Sequence, residues 1–214
     1  MEAGNAGNAG KIIQRGAEAV LYIDEKDGSG SGVLVKDRIS KSYRIREIDE
    51  KIRKQRTKKE AGLLKRAKCC GVGVPNASLS GDYIIKMDYI EGSRVKDALN
   101  AMKKAGQEEI AVGIGEAVAA LHSAGIIHGD LTTSNMILKG GRIFMIDFGL
   151  GKLSQKVEDQ ATDLFLLSEA LKSTHFEISG MMWEKIINTY ALKYSNAREV
   201  MLRLEKIEKR RRYK

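Results

Sequence analysis

Proline, cysteine and long apolar runs are scarce in this sequence. One proline, Pro75, stands against 22 glycines, which excludes proline-rich linkers. Cys69 and Cys70 are adjacent, and adjacent cysteines rarely form a disulfide bond. Two cysteines alone cannot form a zinc site. No apolar run reaches the roughly 18 residues of a membrane span, and no signal-peptide core follows Met1. We therefore expect a cytoplasmic protein without a membrane partner.

Charge and apolar residues are both plentiful. The 214 residues are 43% hydrophobic and 30% charged, which excludes a fully disordered chain. A chain of this length and composition can bury a hydrophobic core. The formal net charge is +9, from 37 basic and 28 acidic side chains. The excess is concentrated in two stretches, residues 41–68 with a net charge of +8 and residues 203–214 with +5. Such a balance favours contact with nucleic acid.

The first ninety residues have the pattern of short strands and one helix. Residues 1–10 repeat glycine, asparagine and alanine and predict a flexible tail. Three strands joined by glycine turns are predicted by apolar runs beginning near Ile12, Val20 and Val33, with a further strand at 83–90. A basic helix is predicted over 41–68, with an apolar stripe on Ile48, Ile52, Leu63, Leu64 and Ala67.

Helices dominate the remainder. They are predicted over 95–104, 108–124 and most of 158–214, with short strands at 126–127, 136–138 and 143–146 and a hairpin turn at Gly140 and Gly141. The resulting α+β organisation consists of a tail (1–10), a β-rich N-lobe (11–90), a helical C-lobe (91–206) and a basic C-terminal tail (207–214).

The strongest functional signal is a set of motifs in a fixed order. His128-Gly129-Asp130 is followed five residues later by Asn135, and Asp147-Phe148-Gly149 follows an apolar strand. Protein kinases have the same layout of catalytic aspartate, asparagine and Asp-Phe-Gly. Either motif alone would be weak, since both also occur as ordinary turns. Together they predict a bilobal protein-kinase-like fold with a reduced helical C-lobe.

Phosphoryl transfer explains why these residue types are needed. The reaction concentrates negative charge on ATP, and Mg²⁺ bridges the phosphates while taking hard oxygen ligands. We therefore expect Asp147 and Asn135 to bind Mg²⁺. Asp130 would lie beside the attacking oxygen and orient it or accept its proton.

Two upstream features complete the expected nucleotide site. Lys36 ends the run Val33-Leu34-Val35-Lys36, which is similar to the kinase strand whose lysine pairs with phosphates, and Glu60 is its expected helix partner. Met87 to Ile90 match the hinge pattern, in which backbone groups of Asp88 and Ile90 bind adenine and Met87 is the gatekeeper.

The phosphate-covering loop departs from the usual glycine-rich pattern. Its first turn contains a single glycine, and we expect Gly16, Ala17 and Glu18 to cover the phosphates. The glycines at 28–32 lie directly before the lysine strand and more readily form the second hairpin turn.

Features of protein-substrate kinases are missing. No Ala-Pro-Glu follows Asp-Phe-Gly, because Pro75 is the only proline, and 65 residues remain after Gly149. Gly129 replaces the arginine that would hold a phosphorylated activation loop, and Thr132 stands where many kinases carry a phosphate-binding lysine. Asp163 is expected to be a structural residue at a helix start that braces the catalytic loop. His122 and His175 are expected to be packing or cap residues.

These motifs together resemble the PRPK family, the small atypical kinases of the KEOPS complex. The resemblance runs from about Lys11 to the C-terminus and rests on Gln14–Ala19, on Lys36, Arg38, Lys41, Tyr43 and Arg44, and on segments 56–61, 128–135, 146–150 and 163–175. It implies ATP and Mg²⁺ binding. It also implies partnership with the threonylcarbamoyl-transferase subunit and other KEOPS subunits in making threonylcarbamoyladenosine on tRNA, mainly as an ATPase.

Several interpretations remain open at this level. The first is an ATP-hydrolysing kinase whose basic C-terminal tail binds tRNA. The alternatives are a genuine serine/threonine protein kinase, a small-molecule kinase, which usually needs a larger C-terminal lobe, and a scaffold that binds ATP as a structural ligand.

Overall fold

The computed structural model describes residues 10–24 and 32–212, with side chains to residue 210. The expected flexible tail and glycine turn fall largely outside these residues. The chain divides into two compact units. Unit 1 takes its described residues from Met1–Gly62 and Pro75–Tyr89, and unit 2 from Leu63–Val74 and Ile90–Lys214.

Unit 1 is built on an antiparallel sheet of five strands. Its members, in the spatial order β1-β2-β3-β5-β4, are β1 (Lys11–Arg15), β2 (Ala19–Asp24), β3 (Val33–Arg38), β4 (Ala77–Leu79) and β5 (Ile84–Asp88). The central strand β3 pairs with β2 and β5, so that Lys36 lies opposite Leu21 and Ile85. Val35, Ile85 and Met87 are buried. The predicted strands are present. The edge strand β4 was not predicted, because a segment of three residues is too short to show an alternating pattern.

The helix α1 (Arg46–Cys69) contributes to both units and starts later than predicted. Residues 41–44 form a turn instead, in which the Arg44 N–H donates to the Lys41 carbonyl oxygen. The prediction that Ile48 belongs to the buried stripe is wrong, because Ile48 is 51% exposed and Asp49 beside it is 1% exposed. The buried carboxylate is stabilised there by Arg53 Nε at 2.8 Å and Arg44 Nη1 at 3.5 Å.

Unit 2 is mainly helical, with two small sheets. The principal helices are α3 (Lys104–Ser123), α4 (Val157–Thr174), α5 (Ser179–Lys193) and α6 (Ala197–Arg212). The small sheets are β6 (Ser93–Arg94) with β8 (Met136–Lys139) and β9 (Arg142–Met145), and β7 (Ile126–Ile127) with β10 (Lys152–Leu153). Ile110, Ile114, Val118 and Leu121 are all buried, which confirms the spacing that predicted α3.

Two local predictions in unit 2 have different outcomes. The helix expected over 95–104 is wrong in extent, since α2 (Val95–Ala98) passes into a 3₁₀ turn at Leu99–Ala101 and Met102 is extended. The Leu99 carbonyl oxygen accepts hydrogen bonds from the Met102 N–H and from Gln107 Nε2. This carbonyl therefore has hydrogen-bond donors without a further helical turn. The hairpin turn at Gly140 and Gly141 is confirmed, with φ of 56° and 75°.

The predicted α+β fold class is confirmed. Strands prevail in the N-terminal part and helices in the C-terminal part. Helix α6 extends to Arg212, so the described part of segment 207–214 is helical. Among the described residues, no helix combines the length and apolar character needed to cross a membrane.

Candidate active site

The predicted Lys36–Glu60 ion pair is present in unit 1. Lys36 Nζ lies 2.7 Å from Glu60 Oε1, and both side chains are almost fully buried. Strand β3 positions the lysine, and the second half of α1 positions the glutamate. The second oxygen of Glu60, Oε2, accepts from Arg38 Nη2 at 2.6 Å. The helix glutamate is therefore bound by two cations from one strand.

The turn between β1 and β2 carries the predicted phosphate-covering residues. Gly16, Ala17 and Glu18 are exposed, and the Gly16 N–H donates to the Ala19 carbonyl oxygen at 2.9 Å. The Glu18 carboxylate accepts from Arg56 of α1 and lies 3.4 Å from Arg38 Nη1. The hydrogen bond from Arg56 is the largest of the influences that lower the Glu18 pKa, so this side chain is charged and tied to arginines.

The predicted hinge residues are divided between the units. In unit 1, Met87 is buried against Ala61 and Ile85, and Asp88 is exposed. The Asp88 N–H donates to the Asn76 carbonyl oxygen at 3.0 Å, and its carboxylate accepts from the Asn76 backbone and side chain. Ile90 belongs to unit 2 and is half-buried. Adenine binding by Asp88 and Ile90 stays a prediction.

Unit 2 brings Asp130 and Asn135 into direct contact. Asn135 Nδ2 donates to the Asp130 carbonyl oxygen at 2.9 Å and to Asp130 Oδ2 at 2.8 Å. This fixes the aspartate in one orientation and, within the part of the chain that the structure describes, leaves Asp130 Oδ1 and Asn135 Oδ1 without hydrogen-bond donors. Since Oδ1 is the remaining polar atom of each side chain, both are free to take a ligand.

The predicted catalytic loop, residues 128–135, is braced from α4 by Asp163. Its carboxylate, 1% exposed, accepts from the His128 N–H at 2.6 Å and from the Gly129 N–H at 2.8 Å. The predicted bracing role is confirmed. Its placement at a helix start is wrong, because α4 begins at Val157 and Asp163 lies beyond the first turn, where the helix meets the loop.

His128 connects the catalytic loop to the strand before Asp147. Its Nε2 donates to the Ile146 carbonyl oxygen at 3.1 Å, and its Nδ1 accepts from the Asp130 N–H at 3.3 Å. This pattern needs the neutral ring. Burial lowers the His128 pKa from its ordinary value of 6.5, against the opposing influence of Asp163 and of the bond to Ile146.

Stability should therefore decrease as the pH falls below about 6.5. The unfolded chain binds a proton at His128 that the folded chain does not, so the free energy of unfolding falls by up to about 1.4 kcal/mol per pH unit from this group. Urea unfolding at pH 7.5, 6.5 and 5.5 measures the slope. A His128→Asn variant should have a shallower slope, and equal slopes in the two proteins would contradict the assignment.

Asp147 has a backbone conformation that few residues adopt. Its φ is 61°, the only positive φ outside glycine among the described residues, and its Oδ1 accepts from the Gly149 N–H at 3.2 Å. The preceding Ile146 N–H donates to the Asn135 carbonyl oxygen at 3.0 Å, which ties the two predicted metal ligands together through the backbone. Strained conformations of this kind are typical of functional sites.

Gly129 occupies a position that only glycine fits. Its φ is 79°, and a Cβ added there would lie 2.6 Å from the Leu150 carbonyl oxygen. Local sterics therefore explain why this position holds glycine and not the arginine that many protein kinases have there.

The donor set of unit 2 suits Mg²⁺. Within the described residues no group of three or more His, Cys, Asp and Glu side chains is arranged to hold a metal ion. One carboxylate and one amide oxygen are instead typical of Mg²⁺, which takes its other ligands from water and phosphate. Asp147 and Asn135 would hold it.

Sequence reasoning missed the role of Arg38. Lys36 and Arg38 are two residues apart on β3 and so share a face of the sheet, a signal that both cations approach the helix glutamate. The contact of Arg56 with Glu18 had no such local signal, because 38 residues separate the two.

Comparisons with known proteins found a matching family model and several similar proteins. A family model for the RIO domain matches residues 33–169. The KEOPS complex subunit Bud32 of Pyrococcus abyssi is 41% identical over 95% of this chain and 96% of its own length. Two further relatives are named as probable bifunctional tRNA threonylcarbamoyladenosine biosynthesis proteins. The one from Methanothermobacter thermautotrophicus is 40% identical over 94% of this chain, and the one from Methanosarcina barkeri is 37% identical over 95%. The chain spans 36% of the length of each.

One solved structure shows the fold at low sequence identity. It is WaaP in complex with acyl carrier protein, with a TM-score of 0.66 at 14% identity over 94% of this chain and 88% of that one.

Proposed function

The chain belongs to the RIO-domain family, and from this premise we propose that it is an ATP-using atypical kinase of the Bud32 type. In this proposal it acts mainly as an ATPase of a KEOPS complex, in threonylcarbamoyladenosine modification of tRNA in the cytoplasm. The observation that carries the proposal is the hydrogen-bonded group of Asp130, Asn135 and His128 together with the Lys36–Glu60 pair. Family membership supports the use of ATP.

Each residue has a role that follows from its chemistry. Lys36, held by Glu60, would pair with the nucleotide phosphates, and the backbone of Gly16, Ala17 and Glu18 would cover them. Asp88 and Ile90 would bind adenine through backbone groups. Asp130 would accept the proton of the attacking oxygen at Oδ1, the atom that Asn135 leaves free.

Asn135 and Asp147 would hold Mg²⁺ in this scheme. The bound ion would neutralise charge on the phosphates during transfer. Asn135 commits its Nδ2 to Asp130, so the amide oxygen is the atom that points away from that bond. Its orientation is thus fixed before any ligand arrives.

Whether the acceptor is water or a protein hydroxyl separates the two leading activities. Asp130 Oδ1 serves either acceptor equally well. We favour water, because no Ala-Pro-Glu segment follows Asp-Phe-Gly in the printed sequence. Serine/threonine kinase activity is the alternative. It predicts transfer of labelled phosphate to a protein substrate or to the chain itself.

The proposed partners follow from the relatives. One relative is named as a KEOPS subunit, and others are bifunctional proteins of which this chain matches a third, so a transferase subunit is the first partner to test. Contact with tRNA through segment 207–214 is supported by its composition and by the exposure of Lys209 and Arg210 on α6. Such contact would weaken steeply with salt.

The test is ADP release by the purified chain, alone and with a threonylcarbamoyl-transferase subunit and a tRNA transcript. We expect Mg²⁺-dependent turnover that rises when the partner and tRNA are added. An Asp130→Ala variant provides the background. Turnover in this variant equal to wild type would contradict the proposal, and phosphate found on protein rather than in solution would favour the alternative.

A further inference from the structure

Five charged side chains of unit 1 form one continuous chain of ion pairs with alternating sign. Lys36 pairs with Glu60 at 2.7 Å, Glu60 with Arg38 at 2.6 Å, Arg38 with Glu18 at 3.4 Å, and Glu18 with Arg56. The chain begins at the lysine predicted to bind phosphate and reaches the turn predicted to cover phosphate. It therefore connects β3, α1 and the β1–β2 turn.

Arg38 is the centre of this chain. It is 4% exposed, and its two Nη atoms contact different carboxylates, Glu60 Oε2 and Glu18 Oε2. Its Nε is buried and has no hydrogen-bond partner within the described residues. A buried guanidinium needs its acceptors. Since Glu60 supplies only one of them, Arg38 attracts Glu18 and with it the turn.

The surroundings strengthen this attraction. The small cavity beside Glu18 and Arg38 is lined by four more basic side chains, Lys41, Arg44, Arg53 and Arg56. Arg44 and Arg53 pair with Asp49. Lys41 makes no ion pair in the described part of the chain. Glu18 therefore lies in a positive field, and its release into water would leave several cations facing each other.

We propose that Arg38 is a positioning residue that uses Glu18 and Arg56 to hold the phosphate-covering turn in place and uses Glu60 to orient Lys36. The inference rests on the proposed function. The Glu18 side chain then acts through arginines and not on the nucleotide, which also suits its charge, since a carboxylate would repel the phosphates. The turn offers phosphate the backbone N–H groups of Ala17 and Glu18 instead, because that of Gly16 donates to the Ala19 carbonyl oxygen.

The test compares steady-state ATP turnover in Glu18→Gln, Arg56→Gln and the double variant. Glu18 and Arg56 are half-exposed, so the fold should survive. We expect each single variant to raise KM for ATP about threefold to tenfold, with a smaller factor in kcat, because a loosened turn mainly weakens nucleotide binding. The double variant should be no worse than Glu18→Gln alone, because that substitution already removes the contacts of the carboxylate with both Arg38 and Arg56.

Arg38→Lys extends the test to the centre of the chain. A lysine keeps the charge but cannot bind two carboxylates through separate Nη atoms. We expect a higher KM as in Glu18→Gln and, in addition, a fall in kcat of about tenfold, because Glu60 loses a partner and Lys36 its fixed orientation. Circular dichroism establishes that the variant is folded.

A matched control lies in the same unit. Lys54 of α1 pairs with Asp82 at 2.8 Å, with an exposure close to that of Glu18 and Arg56, but it is not linked to Lys36. Asp82→Asn and Lys54→Gln should leave KM and kcat within twofold of wild type.

The outcomes separate the inference from the proposed function. If wild type turns over ATP and Glu18→Gln has an unchanged KM, or if the two single effects add in the double variant, the inference is wrong while the function stands. If wild type shows no turnover, binding of a fluorescent ATP analogue replaces KM. A Kd that Glu18→Gln and Asp82→Asn raise equally would overturn the inference in that case.

Discussion

Replacing Asp130 with asparagine is expected to lower kcat for ATP turnover by about 10²- to 10⁴-fold, the usual contribution of a positioned acid or base. The substitution is suited to this question because an asparagine side chain still offers an oxygen to Asn135 Nδ2. The 2.8 Å contact that fixes the residue can therefore persist. What is lost is the negative charge and the ability to accept a proton at Oδ1.

The measurement should separate the chemical step from binding. KM for ATP should change little, because the predicted phosphate and metal contacts belong to Lys36, Asn135 and Asp147. Asp97→Asn, at an exposed position of α2, removes the same charge elsewhere in unit 2 and should retain activity within twofold. A loss in Asp130→Asn smaller than tenfold would assign Asp130 to structure and not to chemistry.

Replacing Asp163 with alanine is expected to lower the free energy of unfolding by about 3 to 5 kcal/mol, the largest loss of stability that we predict for one side chain. The carboxylate is buried and is the acceptor for two consecutive backbone N–H groups, of His128 and Gly129. Alanine leaves both donors without a partner in a site too enclosed for easy replacement. The catalytic loop loses the contact that holds it to α4.

Thermal and urea denaturation of wild type and variant measure this loss, and Glu169→Ala is the control. Glu169 is on the same helix and pairs at its surface with Lys172 at 3.1 Å, so its removal should change stability by less than about 0.5 kcal/mol. Activity should fall together with stability in Asp163→Ala. If the stability loss were no greater than in the control, Asp163 would not brace the loop.

The sequence was most informative where chemistry restricts residue type. Magnesium needs particular oxygen ligands and phosphate needs a cation, so spacing predicts Lys36, Glu60, Asp130, Asn135 and Asp147 as site residues. Of these expected arrangements, the Lys36–Glu60 pair is present, and Asp130 contacts Asn135. The hairpin at Gly140 and Gly141 was identifiable for a similar reason, because its turn requires positive φ at both positions.

It was least informative where polar residues occupy the interior. In α1, Asp49 is buried beside an exposed Ile48, since two arginines offset the cost of burying the carboxylate. A periodicity of apolar residues cannot detect such a reversal. The same limit hid the contacts of Arg38 and Arg56 with Glu18, which depend on how strands and helix pack together.

The steric restriction at Gly129 also limits how this chain could change over time. An arginine there would have to adopt a left-handed backbone and displace the Leu150 carbonyl, so one codon change would first pass through a damaged protein. A lineage could acquire phosphorylation-controlled activation by this route only after the segment following Asp147-Phe148-Gly149 had moved. The present arrangement therefore opposes the evolution of that form of control.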